Sequence, residues 1–503
     1  MNPFKKLAGQ TAIYGIPSIL VRFLNYLLVP LYTYGLLTQQ EYGVVNLFYS
    51  YTALLMVILT YGMETAFFRF SETEPDRNRV YSTGLISLIL SSGLFLGLVS
   101  LFPATVAGWI DYPDYPRYVT WFAWIMALDT VAAIPFARLR AQNRPARFAL
   151  VKSANMLIYV LLNLFFLLLC PWLHERCEGS SCAGILSLVY RPDWTIEYIF
   201  IANLIASVAT LALLLPEMRG LKWVFDAALW KRMLLYSLPL MIAGMAGIVN
   251  ETVDRILLRY LLPLPAAEAE AQVGIYSACY KIAVLMVLFI QAYRFAAEPF
   301  FFSQMKNRDA REVYAKVMDY FVISVCLIFL VTMLFLDTVF IRLTGPGFRE
   351  ARGVIPVLML AKMFLGIYFN LSIWYKLTGK TIWGAVITIA GAAVTVGLNI
   401  VLIPLPEHYP VHGYMGSAVA TLACYTVMMV MGYFIGRKYY PVAYNLKKFA
   451  GYTGLTVALY LLHRWIGPAS FAGSFALGVL LLAVFAATAW KAEGLTPAKL
   501  RHQ

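Results

Sequence analysis

Apolar runs of about 20 residues follow one another along the chain, each closed by a short polar segment, and a run of that length crosses ~30 Å of hydrocarbon as one helix. The pattern predicts spans at 11–34, 43–68, 81–103, 118–138, 148–171, 195–215, 233–262, 273–302, 318–337, 353–375, 381–404, 412–435, 450–463 and 469–490. The thirteenth is the shortest. Alternating strands of a membrane barrel would give a period of two in much shorter segments, which these runs lack. The expectation is an all-α polytopic membrane protein with about 14 transmembrane helices.

Loop charge orients the spans. Lysine and arginine crowd one alternate set of loops: Lys5 and Lys6; Arg77 and Arg79; Arg138, Arg140, Arg144 and Arg147; Arg219 and Lys222; Lys306 and Arg308; Lys376 and Lys380; Arg437 and Lys438. The other set is sparse, with Arg117, Arg176, Arg191 and Arg342 among its few. The positive-inside rule then places both termini in the cytoplasm of a bacterial inner membrane, and an even number of spans preserves the alternation. The first run is read as a retained helix, since no small-residue cleavage site follows a short apolar core.

Composition agrees: 61% hydrophobic and 13% charged residues is too apolar for a soluble chain of 503 residues. The formal charge of +14 therefore reads as membrane topology and attraction to anionic lipid headgroups, with no nucleic acid implied.

A weak repeat is visible. Tyr14-Gly15-Ile16-Pro17 matches Tyr236-Ser237-Leu238-Pro239, and Glu41-Tyr42-Gly43-Val44 matches Gln272-Val273-Gly274-Ile275. Six spans per repeat predict two pseudo-symmetric halves, 1–220 and 221–440, with 441–503 adding two helices and a tail. Halves of equal orientation are related by an axis along the membrane normal, with the substrate cavity between them.

Ionisable side chains at bilayer depth are costly and commonly mark pathways or partners. Arg22 and Asn25 share one face near the middle of the first span, and Asp129 lies at similar depth in the fourth. Glu251, Asp254 and Arg255 share a face of the seventh, where Glu251 and Arg255 are spaced to pair and Asp254 is level with Lys281 of the eighth. Arg294 and Glu298 stand four apart, and Lys362 has no carboxylate on its own helix. Arg22, Asn25, Lys281, Arg294 and Lys362 are the candidate substrate-binding set; Glu64, Asp129, Glu251, Asp254 and Glu298 are the candidate ion-coupling or gating set. Unpaired arginine suits phosphate oxygens. Glu64, nearer the cytoplasmic rim, reads as an anchor or inner gate. The bland alternatives are packed ion pairs and side chains reaching to headgroups.

Cys177 and Cys182 lie in the longest outer loop, where a disulfide and two free thiols both remain open. The other four cysteines sit in apolar runs and read as packing residues. No metal-ligand spacing and no phosphate-binding GxxxxGK[ST] occurs, so no cofactor is expected and direct use of ATP is disfavoured.

Several stretches resemble bacterial polysaccharide-biosynthesis membrane proteins: Lys5-Lys6-Leu7-Ala8-Gly9-Gln10-Thr11, Arg22-Phe23-Leu24-Asn25-Tyr26, Glu41-Tyr42-Gly43, Gly62-Met63-Glu64-Thr65-Ala66-Phe67-Phe68-Arg69-Phe70 and Ile134-Pro135-Phe136-Ala137-Arg138. The chain is similar to the polysaccharide-transport, O-antigen flippase-like branch of the multidrug/oligosaccharidyl-lipid/polysaccharide exporter superfamily. That resemblance implies a transporter, not an enzyme: a flippase that moves polyprenyl-pyrophosphate-linked oligosaccharide to the outer leaflet for lipopolysaccharide O-antigen or related surface polysaccharide. It further implies Arg22 at the pyrophosphate and polysaccharide polymerase machinery as the candidate protein partner; the intramembrane carboxylates are the expected route by which an H⁺ or Na⁺ gradient, or the membrane potential, drives the cycle. The last two spans are similar to the extra pair of lipid II flippases. Competing readings are a cation-coupled multidrug antiporter, for which twelve spans and a carboxylate-dominated cavity are expected, and a membrane polymerase or ligase, which needs a larger outer domain.

Overall fold

A computed structural model describes residues 26–177, 181–219, 222–305, 307–467 and 470–493; the side chains at 177, 181–183, 185, 295, 296, 299 and 303 lie outside that description. Among the described residues every regular element is helical. Among the described residues twelve helices are long and apolar enough to cross a membrane. The first predicted span lies largely outside the described residues, which begin with a helical piece over 26–33 (α1). The thirteenth is a helix of 21 residues, Leu446–Ile466, but is not among the twelve. Lys447 and Lys448 at one end and His463 and Arg464 at the other dilute its apolar centre.

The chain divides into two compact units, Met1–Tyr260 with Leu264–Gly274, and Leu261–Pro263 with Ile275–Gln503. In the first unit α1 is followed by α2 (Gln39–Thr60), α3 (Met63–Thr73), α4 (Arg77–Leu101), α5 (Pro103–Trp109), α6 (Pro116–Ala141), α7 (Pro145–Leu164), α8 (Cys170–Cys177), α9 (Ser181–Val189), α10 (Ile196–Met218) and most of α11 (Ala227–Leu261).

Helix α2 starts on a capping box: Thr38 accepts from the Glu41 backbone N–H while the Glu41 carboxylate takes the Thr38 N–H. The second predicted span is broken. Tyr61 and Gly62 both have positive φ, 32° and 70°, so α2 stops and α3 restarts. A Cβ at Gly62 would stand 2.9 Å from the Ser237 carbonyl oxygen, so glycine there lets the broken helix nest against α11.

Two predicted connections are partly helical. The segment after the third span forms α5, and the long loop holding Cys177 and Cys182 forms α8 and α9, reached through a π-helical turn at Phe165–Leu169. Elements this short are hard to separate from loops by periodicity.

The arginine-rich loops make specific contacts. Arg144 meets Glu217 at 2.7 Å, Arg138 donates to the Glu217 carbonyl at 2.7 Å, and Arg79 meets Asp226 at 2.6 Å. The Leu229 backbone N–H, with Arg79 beside it, holds the Asp226 carboxyl below its ordinary range.

The second unit takes most of α12 (Ala266–Gln304), then α13 (Ala310–Leu334), α14 (Val354–Leu371), α15 (Ile373–Leu377), α16 (Ile382–Leu402), α17 (Gly413–Tyr439), α18 (Leu446–Ile466) and α19 (Phe471–Glu493). Its core runs along α14 and α17, where Ala361, Leu365, Tyr368, Tyr425 and Met428 pack together. The last two helices are fastened to α13 at the loop end: Lys448 meets Asp319 at 3.3 Å and Glu493 at 2.7 Å, and Tyr452 donates to Glu493 at 2.8 Å.

Candidate functional site

The buried polar side chains of the first unit fall into two groups. One is a ladder of hydroxyls and amides. The Tyr32 hydroxyl donates to Asn163 Oδ1 at 2.9 Å and lies 3.2 Å from the Tyr159 hydroxyl. Tyr159 continues to Tyr49 at 3.5 Å, and Asn203 Nδ2 donates to Tyr49 at 3.2 Å. Four helices, α1, α2, α7 and α10, contribute rungs. Polar groups inside an apolar bundle must find partners, and these find one another. Asp129 of α6 stands beside this ladder, within electrostatic reach of Tyr49 and of Lys152 on α7. Its expected companion, Arg22, lies outside the described residues, as does Asn25.

The second group is a latch at the end of the unit away from the arginine-rich loops. Helix α2 and the start of α12 approach so closely that neither tolerates a side chain. A Cβ at Gly43 would collide with the carbonyl of Glu270 and stand 3.1 Å from the Gly274 nitrogen. A Cβ at Gly274 would collide with the carbonyl of Gln39 and stand 3.0 Å from the Gly43 nitrogen. Each glycine thus sits against the carbonyl of the residue four before the other. These are the two glycines that the repeat aligns.

Next to them, Arg259 Nε donates to Glu270 Oε1 at 3.1 Å and Gln40 Nε2 donates to Glu270 Oε2 at 2.9 Å. Both charged side chains are less than a tenth exposed. Burial, and the Glu270 carboxylate beside it, push the Tyr112 phenol well above its ordinary value.

The remaining candidates of the first unit have identified neighbours. Glu64 forms an ion pair with Arg140 of α6, which joins the second piece of the broken span to its neighbour at the end with the arginine-rich loops. Arg255 donates to the Glu251 carbonyl at 2.9 Å and meets the Asp254 carboxylate at 3.3 Å. Asp254 and Lys281 fall in different units. The side chains of Cys177 and Cys182 lie outside the described residues.

In the second unit Lys362 is completely buried. Its Nζ donates to the Tyr425 hydroxyl at 3.3 Å and lies 5.0 Å from the centre of the Tyr280 ring. Aromatic faces attract a cation through their quadrupole, more strongly where water is excluded. Arg294 and Glu298 are paired one turn apart at 3.6 Å; Lys376 of α15 meets the same carboxylate at 2.5 Å, and the Arg294 guanidinium lies 4.0 Å from the centre of the Phe369 ring. Among the described residues no group of His, Cys, Asp or Glu is arranged to hold a metal ion.

Lys362 offers a direct test of role. Lys362→Met keeps the volume and removes the charge, so the fold should survive, because a buried charge replaced by a hydrophobe of similar size is often neutral or stabilising. Lys362→Ala should lose about 2–5 kcal/mol through the cavity it leaves. Thermal unfolding of the two purified variants checks this, and equal losses would contradict it.

Reading the sequence for charge set Arg294 and Glu298 one turn apart, where the structure pairs them; it passed over the tyrosine ladder and the Arg259–Glu270 latch. Tyrosine and asparagine at mid-span were the available signal. Hydropathy alone hides it, since a tyrosine weakens an apolar run far less than a charge does.

The helical arrangement defines a multi-pass membrane protein with a transporter fold. The chain belongs to the polysaccharide biosynthesis protein family, which matches residues 7–306. Among solved structures it is similar to the lipid II flippase MurJ in an inward closed conformation, at a TM-score of 0.70 and 12% identity, over 95% of this chain and 98% of that one. It is also similar to an inward-facing multidrug resistance MATE family transporter of the MOP superfamily, at 0.60 and 12%, over 86% and 93%. The Vibrio cholerae MATE transporter VcmN in its bent form matches at 0.55 and 12%, over 90% and 100%. No curated protein sequence matches significantly.

Proposed function

We propose that the protein is a flippase for polyprenyl-pyrophosphate-linked oligosaccharide, carrying it from the inner to the outer leaflet of a bacterial cytoplasmic membrane by alternating access. Membership of a polysaccharide biosynthesis family carries this reading. The share of the chain that resembles a lipid flippase, larger than the share that resembles the drug exporters, supports it. In this reading both termini are cytoplasmic, Arg22 receives the pyrophosphate, and Asp129 beside the tyrosine ladder couples H⁺ or Na⁺ to the cycle. The Gly43–Gly274 latch holds the outer exit of the pathway shut. The product passes to surface-polysaccharide assembly, for which O-antigen polymerisation is the model case.

The competing reading, an antiporter for cationic drugs, predicts a carboxylate-dominated pathway. Its motivating observation is the likeness to MATE transporters, and Asp129 is its candidate carboxylate.

Reconstitution into vesicles with a fluorescent lipid-linked oligosaccharide, read as probe protected from an external quencher, decides between them. Wild type should move the probe and Arg22→Ala should not. Absence of movement of every polyprenyl-linked sugar tried, with gradient-driven uptake of an organic cation, would replace this reading by the antiporter.

A further inference from the structure

The first unit contains a cavity of about 480 Å³ that plays no part in the polar ladder or the latch. Helices α2, α4, α5, α6 and α11 line it as a half-open groove, with Leu55, Phe95, Val106, Phe122, Met126 and Met245 among its walls. Among the described residues, only two hydroxyl-bearing side chains line it, Tyr51 and Thr52. Both hydroxyls are engaged elsewhere. Thr52 bonds back to the Phe48 carbonyl at 2.8 Å, and Tyr51 donates to Tyr260 at 3.0 Å. Tyr260 in turn donates to the Ile110 carbonyl at 3.2 Å. The interior therefore offers water no partner, and an apolar cavity without partners stays dry.

The cavity's place in the fold says what reaches it. Helix α4 starts at Arg77 beside the arginine-rich loops and is 25 residues long, so Phe95 and Val99 lie near its far end. There α5 packs over the cavity with Val106 inward, while Leu101, Phe102 and Trp109 around it are exposed. Exposed tryptophan and apolar residues of this kind belong at the boundary of hydrocarbon and headgroups. Leu94 and Leu98, on α4 next to the cavity residues Phe95 and Val99, are exposed as well, so the wall faces lipid.

We propose that this cavity binds one acyl chain of a phospholipid from the leaflet opposite the arginine-rich loops. The apolar lining and the lipid-facing wall select this occupant, and the volume matches it. An apolar cavity of about 150 Å³ holds one benzene, six carbons, so a space of about 480 Å³ holds roughly three times as many, about nineteen. That is the length of one acyl chain and only a fraction of a polyprenyl tail. The bound chain fills the seam between α4, α5 and α11 and ties α5 to the bundle.

The test uses the full-length protein in nanodiscs of phosphatidylethanolamine containing a phospholipid with a photoreactive diazirine along its acyl chain. After irradiation and digestion, adducts are mapped by mass spectrometry. Adducts should appear at Phe95 and Met126. Ala123→Trp, which puts an indole into the cavity, and Val106→Phe, which fills it from the exposed side should the first variant misfold, should lower that yield roughly tenfold while adducts at Leu94 persist. Excess polyprenyl phosphate should leave the labelling unchanged. Equal labelling in parent and filled variants would overturn the site. Displacement by polyprenyl phosphate would overturn the assignment to phospholipid. Neither result bears on sugar transport, so this site and the flippase reading stand or fall separately.

Discussion

Replacing Gly274 by alanine should open the latch, and replacing it by leucine should do so completely. The methyl group of alanine already collides with the Gln39 carbonyl, and its neighbours are backbone atoms that cannot rotate aside. Overpacking of this kind costs about 1–3 kcal/mol, and a backbone contact belongs at the upper end. A penalty of ~3 kcal/mol against the closed contact shifts its population by roughly two orders of magnitude. Gly43→Ala should behave alike, because its Cβ meets the Glu270 carbonyl in the same way. The readout is a cysteine at Ala269, which is fully buried one turn from the contact. A membrane-impermeant maleimide should label it slowly in the otherwise native protein and quickly in either glycine variant. Unchanged labelling would mean that the two helices do not need their close approach. Labelling from the outside of intact cells would also test the orientation.

Glu270→Ala should be the most destabilising change at the same place. It leaves the Arg259 guanidinium buried without its carboxylate, and breaking a buried pair from one side costs about 3–5 kcal/mol. Gln40 loses its acceptor in the same step. The double variant Arg259→Met with Glu270→Met should recover most of the loss, since removing both charges removes the penalty. Thermal unfolding of the purified proteins measures both. A single variant as stable as the parent would show that water reaches Arg259; a double variant no better than the single would show that Glu270 matters through Gln40 instead.

The spans were legible because a hydrocarbon solvent allows few alternatives to a long apolar helix, and hydropathy reports that directly. The break at Tyr61–Gly62 was not. Left-handed backbone at two adjacent positions leaves hydropathy unchanged, and Gly62 was visible only as the first residue of a stretch inside a continuous apolar run. Helices α5, α8 and α9 escaped for the related reason that fewer than three turns give no usable period. Lys362, a candidate by its place near the middle of the tenth span, is fully buried inside its unit. Sequence spacing could not place Tyr425 and Tyr280 around it, because both come from other helices. Glu270 was passed over because it stands near a loop, where an acidic residue looks solvated. Its burial follows from Arg259 eleven residues earlier and Gln40 from another hairpin.

The reciprocal contact of Gly43 and Gly274 has a historical consequence. In a symmetric dimer, a residue on the twofold axis meets its own copy, and the surface around it is complementary to itself. Here the two glycines occupy matching places in the repeat, and each meets the carbonyl four residues before the other. The arrangement is what a half-length ancestor would leave if it paired with an identical copy before its gene was duplicated and fused. A contact of that origin would begin as one residue under selection twice over, and fusion would turn it into two positions that can diverge elsewhere along the hairpins but need the same amino acid where they touch.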